Sequence, residues 1–128
     1  MTKDSAKKAL VLFAHGARNP EWASSFRRVQ QLAQDRLPEV SVELAFLEFM
    51  QPDLPAAVRL LAQRGCDEVT VKPLFFGSSG HVLRDLPGMV AQLQAEYPAM
   101  SFRVAQAVGE DAGVLAAVAQ ACVAELGA

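Results

Sequence analysis

The chain has few cysteines, histidines, tryptophans and tyrosines. Its 128 residues include two cysteines, two histidines, one tryptophan and one tyrosine. Cys66 and Cys122 stand far apart, with no CxxC pair and no histidine at zinc-finger spacing. We therefore expect two reduced thiols, and we do not expect a disulfide framework, a zinc finger or an iron–sulfur cluster held by this chain alone.

The chain also lacks a large excess of charge of one sign, and it has no long apolar runs. The chain has 12 basic and 14 acidic residues, giving a net charge of −2 with no basic tract of the kind that binds nucleic acid. No stretch is long enough to span a bilayer, and the short apolar run after the N-terminal lysines lacks the features of a signal peptide. We expect a cytoplasmic protein that binds neither nucleic acid nor membranes.

The composition that remains is that of a folded domain, with 52% hydrophobic and 20% charged residues. We expect a single domain over residues 1–128, with residues 1–8 disordered. Apolar runs and amphipathic stretches alternate four times along it. This strand–helix order predicts an α/β fold, in which a parallel sheet has helices on both faces and right-handed crossovers.

The boundaries of these elements follow from apolar runs, caps and prolines. We expect strands over residues 9–14, 40–47, 68–75 and 101–105. We expect helices over residues 20–37, 52–64 and 111–126, and a further helix that is under way by residue 85 and ends before Pro98. The last helix is expected to turn Leu115, Val118 and Cys122 inward, because these residues recur at helical spacing.

Both histidines come after predicted strands. His15 ends the first apolar run, His81 follows the third, and Glu48 follows the second. Carboxyl ends of parallel strands share one edge of a sheet, where ligands of such folds bind. Two imidazoles and a carboxylate are a ligand set for a reactive divalent metal ion. The alternatives are packing or capping roles for the histidines and a solvated surface role for Glu48.

Other residues near these positions suit an anionic ligand. The GSSG segment at residues 77–80 offers backbone N–H groups but lacks the lysine of a phosphate-binding P-loop. Arg18 and Arg84 each stand three residues beyond a histidine, and arginine pairs well with carboxylates. Ordinary solvated arginines are the alternative. Lys72 interrupts a predicted strand, so it either reaches an edge of the sheet or meets an acidic group of a ligand.

Three segments together resemble a known family. HGAR at 15–18, AFLE at 45–48 and PLFFGSSGHVLRDLP at 73–87 are similar to the small sirohydrochlorin cobaltochelatases of the CbiX type, class II chelatases. The resemblance implies a chelatase-like (flavodoxin-like) three-layer sandwich with a four-stranded parallel sheet. It implies a lyase-class enzyme that inserts a divalent metal, Co²⁺ or alternatively Ni²⁺ or Fe²⁺, into sirohydrochlorin for cobalamin or sirohaem synthesis. No organic cofactor is expected.

The resemblance also implies roles for individual residues. The catalytic and metal-binding residues would be His15, His81 and Glu48. The tetrapyrrole would be bound by Arg18, Ser78, Ser79, Gly80 and Arg84. Longer relatives carry two such units, so two copies of this chain are expected to form a homodimer. Ala17 departs from the family pattern, in which serine usually stands, so a hydroxyl near the site is missing.

Three other interpretations stay open at this point. A tetrapyrrole carrier or metal-delivery protein would use the same site without turnover. The histidine phosphatases also have His-Gly after a strand, but an arginine precedes their histidine and Ala14 stands there in this chain. A purely structural interaction domain would bind no divalent metal.

Overall fold

The computed structural model describes residues 6–77 and 81–127, without the side chain of His81. The strands of this part are β1 (Lys8–Ala14), β2 (Ser41–Phe46), β3 (Glu68–Pro73) and β4 (Ser101–Val104). The α-helices are α1 (Ser24–Arg36), α2 (Leu54–Gln63), α3 (His81–Glu96) and α4 (Ala112–Ala124). Two short 3-10 helices, Pro20–Ala23 and Val108–Glu110, precede α1 and α4. Within these described ranges, no helix is both long and apolar enough to traverse a lipid bilayer.

All four strands are parallel and lie in the order β2-β1-β3-β4. Leu12 in the middle of β1 pairs with Leu44 of β2 on one side and Lys72 of β3 on the other. The order reverses between β1 and β3, which is the point where sheets of this topology bind ligands. The predicted parallel α/β sheet is confirmed.

Alternate residues of the strands form two apolar cores, one on each face of the sheet. On one face, Phe13 of β1 and Val71 of β3 pack with Leu61 of α2 and Leu86 of α3. On the other face, Leu12, Leu44 and Phe46 form a second buried cluster, covered by partly buried residues of α1 and of the 3-10 helix before it. These layers confirm the predicted three-layer arrangement.

Helix α3 begins at His81, so it is under way by residue 85 as predicted, and Pro87 lies in its interior. A proline at this position lacks the N–H that would donate a hydrogen bond within the helix. Val82 and Leu83, in the first turn, pack against the core under α2 and α3. Their burial offsets the hydrogen bond that Pro87 cannot donate.

The prediction for α4 is wrong. Leu115, Val118 and Cys122 were expected to face inward, but none of the residues of this helix is buried. Leu115 and Val118 are 46% and 45% exposed. Among the described residues, the main contacts of α4 are with the adjoining 3-10 helix, and no residue of α4 belongs to either apolar core. Its sequence is apolar on all sides, so helical spacing defined no inward face.

The expected disorder of residues 1–8 does not extend to its last two residues. Strand β1 begins at Lys8, and the backbone carbonyl of Lys7 accepts hydrogen bonds from the N–H groups of Asp67 and Glu68. Pairing with the start of β3 therefore fixes this end of β1. Residues 1–5 lie outside the described part of the chain.

Candidate functional site

The carboxyl end of β1 is held by hydrogen bonds to both of its neighbours. The Leu74 N–H donates to the Phe13 carbonyl at 2.8 Å, and the Leu47 N–H donates to the Ala14 carbonyl at 2.9 Å. The Glu48 N–H then donates to the His15 carbonyl at 3.1 Å. Pairing between the two chain segments therefore continues beyond the ends of β1 and β2 and places Glu48 beside His15.

Gly16 makes this close approach possible. Its φ is +96°, a conformation that residues with a side chain rarely adopt. A Cβ atom on Gly16 would overlap the backbone carbonyl oxygen of Glu48. A glycine is therefore required immediately after His15, because the two chain segments touch at the backbone.

The side chains of His15 and Glu48 meet at the resulting edge. Nε2 of His15 lies 3.3 Å from Oε2 of Glu48, and the two side chains are 49% and 47% exposed. Both are accessible to a ligand from solvent while their backbones are fixed. The structure therefore brings together two of the three residues predicted to bind a metal.

His81, the third predicted ligand, is the first residue of α3. Because β3 lies beside β1 in a parallel sheet, the chain leaves β3 toward this helix from the same edge that carries His15. The His81 side chain lies outside the described residues, as do Ser78, Ser79 and Gly80. Among the residues that are described, no three His, Cys, Asp or Glu side chains form a metal-binding group.

The two predicted arginines are exposed, and one of them has a defined neighbour. The guanidinium carbon of Arg18 lies 4.9 Å from the centre of the Phe49 ring. Arg84 lies on the exposed surface of the first turns of α3. Neither arginine forms an ion pair with a carboxylate of the described part of the chain. Their roles toward a substrate stay predictions.

Two exposed phenylalanines follow strands β2 and β3, and neither was predicted to be part of the site. Phe49 directly follows Glu48 and is 55% exposed, and Phe76 follows β3 and is 58% exposed. Gly109 lies under the Phe76 backbone, where a Cβ atom would come within 2.6 Å of the Phe76 Cα. In the sequence, the only signal for Phe49 was its position directly after a predicted metal ligand, whereas Phe76 stands within the segment at 73–87 that resembles the family.

The structure gives the positions of Lys72 and Ala17 but does not test a role for either residue. Lys72 is partly buried in β3, beside Leu12 on the side of the sheet that α1 covers. Ala17, where the family usually has serine, is partly buried between Gly16 and Arg18.

A flavodoxin-like parallel sheet, with an imidazole and a carboxylate at the carboxyl edge beside its switch point, defines an α/β protein of the chelatase-like class. The family model described as CbiX matches residues 9–125. The chain therefore belongs to the CbiX family, as the three sequence segments predicted.

Curated relatives of the chain are named sirohydrochlorin cobaltochelatases. The chain is 30% identical over 82 residues to the sirohydrochlorin cobaltochelatase of Methanopyrus kandleri, covering 64% of this chain and 57% of the relative. It is 28% identical over 102 residues to the sirohydrochlorin cobaltochelatase of Sulfurisphaera tokodaii, covering 80% of each. The match thus spans little more than half of the first of these two relatives.

Solved structures confirm the fold. A CbiX protein of Marinobacter aquaeolei, described as a putative cobalamin biosynthesis protein, superposes with a TM-score of 0.81 at 25% identity. That match covers 93% of this chain and 97% of the other. The sirohydrochlorin chelatase SirB of Bacillus subtilis subspecies spizizenii, in complex with cobalt, superposes with a TM-score of 0.73 at 21% identity. Here 82% of this chain matches 45% of SirB.

Proposed function

We propose that this protein is a tetrapyrrole metal chelatase, which inserts a divalent ion into sirohydrochlorin. Membership of the CbiX family supports this proposal, as does the shared name of the curated relatives. SirB structures with cobalt and with Fe³⁺ make Co²⁺ the first candidate and iron the second. Ni²⁺ also accepts imidazole and carboxylate ligands. The product would serve cobalamin or sirohaem synthesis.

The separation of His15 and Glu48 is the observation that carries the proposal. An imidazole nitrogen and a carboxylate oxygen bound to one ion of this size, each at about 2.0–2.2 Å, lie about 2.8–3.6 Å apart for angles between 90° and tetrahedral. Nε2 of His15 and Oε2 of Glu48 are 3.3 Å apart. The pair is therefore spaced to share one ion without rearrangement, and half-exposed side chains leave room for incoming pyrrole nitrogens.

Metal insertion exchanges two pyrrole N–H protons for one divalent ion. In the proposed mechanism, the neutral imidazoles of His15 and His81 hold the ion, which keeps coordination positions free for the macrocycle. As metal–nitrogen bonds form, Glu48 or a displaced histidine accepts a pyrrole proton as a general base. The protons then pass to solvent, so the ion's two charges are balanced by two protons released.

The macrocycle carries carboxylates at its periphery, which require donors around the metal site. We assign Arg18 and Arg84 to these carboxylates, because each guanidinium is exposed and can donate two parallel hydrogen bonds. The backbone N–H groups of Ser78, Ser79 and Gly80 are assigned to the same task. This division leaves the centre of the macrocycle for His15, His81 and Glu48.

Anaerobic visible absorption of sirohydrochlorin with Co²⁺, Ni²⁺ and Fe²⁺ in turn tests the proposed function. We expect the wild-type protein to accelerate insertion of at least one ion, and His15→Ala to lose the acceleration while staying folded. Glu39→Gln is the control for a surface substitution away from the site, because Glu39 is an exposed carboxylate in the turn between α1 and β2. Unchanged turnover by both His15→Ala and His81→Ala would reject the assignment.

The carrier or metal-delivery alternative predicts a different time course with the same residues. A catalyst converts many equivalents of sirohydrochlorin per protein chain, whereas a carrier stops after one. Product measured at a twentyfold excess of substrate over protein therefore separates the two functions.

We also propose that two copies of the chain pair as a homodimer, with α4 in the interface. This helix has no charged side chain over Ala112–Ala124, and its large apolar residues Leu115, Val118 and Val123 are each about half exposed. Exposed apolar patches of this kind mark interaction surfaces. SirB is more than twice as long as the part that matches, so a second copy would supply the missing half here. A particle of twice the chain's mass in solution would support this, and a single chain would overturn it.

A further inference from the structure

Phe49 has a strained backbone that is unusual for its residue type. Its φ is +68°, the left-handed region, which bulky side chains seldom occupy. Strained residues of this kind persist where the surrounding structure fixes them, and they concentrate at functional sites. Burial of the ring does not compensate for the strain, because Phe49 is 55% exposed.

The loop around Phe49 is fixed on both sides. Before it, the Glu48 N–H donates to the His15 carbonyl at 3.1 Å. On the other side of the loop, the Phe46 N–H donates to the Pro52 carbonyl at 2.9 Å, and Met50 packs against the core under α1. Neighbouring contacts therefore impose the left-handed conformation, which directs the ring away from the core and leaves it beside Glu48.

The ring already has one partner, the Arg18 guanidinium at 4.9 Å from its centre. A guanidinium over an aromatic face is a favourable contact that also limits the motion of the arginine. Arg18 has no carboxylate partner in the described part of the chain, so its donors are free for a ligand. Phe49 and Arg18 together present an apolar ring and a cation next to His15 and Glu48.

We infer that Phe49 contacts the flat face of the tetrapyrrole and positions Arg18 toward a carboxylate at its edge. This inference rests on the proposed function and adds a specificity residue to it. The ligand that suits the pair is a flat conjugated ring with peripheral carboxylates. Aromatic rings stack favourably in offset arrangements, and arginine binds carboxylates through two parallel hydrogen bonds.

Substitution of Phe49 by glycine separates binding from stability. Glycine adopts positive φ without strain, so Phe49→Gly should melt at a higher temperature than the wild-type protein. The same variant should bind metal-free sirohydrochlorin about 5- to 10-fold more weakly, because the stacked ring is lost. Phe49→Trp should bind within about twofold of wild type, since it restores a larger ring. Leu32→Ala is the control, because Leu32 is 56% exposed on α1.

A separate set of binding measurements tests whether Phe49 positions Arg18. Arg18→Ala should weaken binding less in the Phe49→Gly background than in the wild-type background, since the guanidinium has already lost its support. Fluorescence titration gives the four Kd values, and steady-state insertion rates should show a raised KM with kcat within about twofold. Equal effects of Arg18→Ala in both backgrounds would overturn the positioning role.

The outcomes distinguish this inference from the proposed function. A wild-type protein that fails to bind sirohydrochlorin overturns the proposed function and this inference with it. If the wild-type protein binds sirohydrochlorin and Phe49→Gly binds it with the same affinity, the inference about Phe49 is overturned and the proposed function is not. A Phe49→Gly protein that melts below wild type would contradict the strain on which the argument depends, and Phe49→Asn, which also tolerates positive φ, checks that result.

Discussion

Replacement of Gly16 by alanine tests whether the backbone contact between the ends of β1 and β2 builds the site. The substitution places a methyl group where the Glu48 carbonyl oxygen lies, at a residue whose φ is +96°. The left-handed conformation alone costs an alanine about 1–2 kcal/mol. Overpacking against a backbone atom adds about 1–3 kcal/mol, because a hydrogen-bonded carbonyl cannot rotate away as a side chain can.

The sum predicts a loss of about 2–5 kcal/mol in the free energy of unfolding for Gly16→Ala. For a chain of this size the melting temperature should fall by roughly 10 °C or more. Two other glycines provide matched controls. Gly65 has a φ of +79° with open space around it, so Gly65→Ala should lose only the conformational part. Gly88 lies within α3 in open space, so Gly88→Ala should gain about 0.5–1 kcal/mol.

Thermal and urea unfolding followed by far-UV circular dichroism give the three free energies. Titration with Co²⁺, followed by its visible absorption, measures the site directly, because a shifted Glu48 backbone moves its carboxylate away from His15. A Gly16→Ala protein no less stable than Gly65→Ala would refute the tight backbone contact. Normal Co²⁺ affinity in a strongly destabilised Gly16→Ala protein would show that the contact does not position the ligands.

Two further predictions concern the helices. Leu115→Glu should convert the proposed dimer to single chains in sedimentation or light scattering, because a carboxylate would be buried in the interface. The control is Leu60→Glu on α2, where the leucine is 36% exposed, and it should leave the mass unchanged. A dimer that survives Leu115→Glu would exclude this part of α4 from the interface. Asp53→Ala should lower the free energy of unfolding by about 0.5–2 kcal/mol in chemical denaturation, because the Asp53 carboxylate caps α2 by accepting a hydrogen bond from the Ala56 N–H at 2.9 Å. Asp35→Ala, at an exposed residue near the end of α1, should lower it by less. Equal losses in the two variants would contradict the capping role.

The sheet and the position of His15 could be predicted because they depend on local patterns. An apolar run such as that of β1 indicates a strand buried on both faces, and strand–helix alternation fixes parallel pairing. Parallel pairing then places the residues after β1 and β2 at one edge. The sequence could not show that pairing continues to Glu48, because this depends on hydrogen bonds between segments more than thirty residues apart.

Two features could not be predicted from the sequence for different physical reasons. Helix α4 is apolar on every side, so its spacing indicates a helix but does not indicate which side is covered, or by what. The conformation of Phe49 is imposed by contacts on both sides of its loop, and a phenylalanine in the sequence gives no indication of a positive φ. The cytoplasmic location and the absence of nucleic-acid and membrane partners stay predictions.

Separate elements of the structure hold the site together and perform its proposed chemistry. Backbone hydrogen bonds and Gly16 fix the positions of residues 15 and 48, whereas the half-exposed His15 and Glu48 side chains supply the donor atoms. An exposed ion pair contributes about 0–1 kcal/mol to folding, so removing either side chain should barely change stability. Loss of metal binding in a stable His15→Ala protein and in a destabilised Gly16→Ala protein would therefore have different causes. If His15→Ala instead unfolded the chain, the imidazole would be part of the fold, and its assignment as a metal ligand would lose its structural basis.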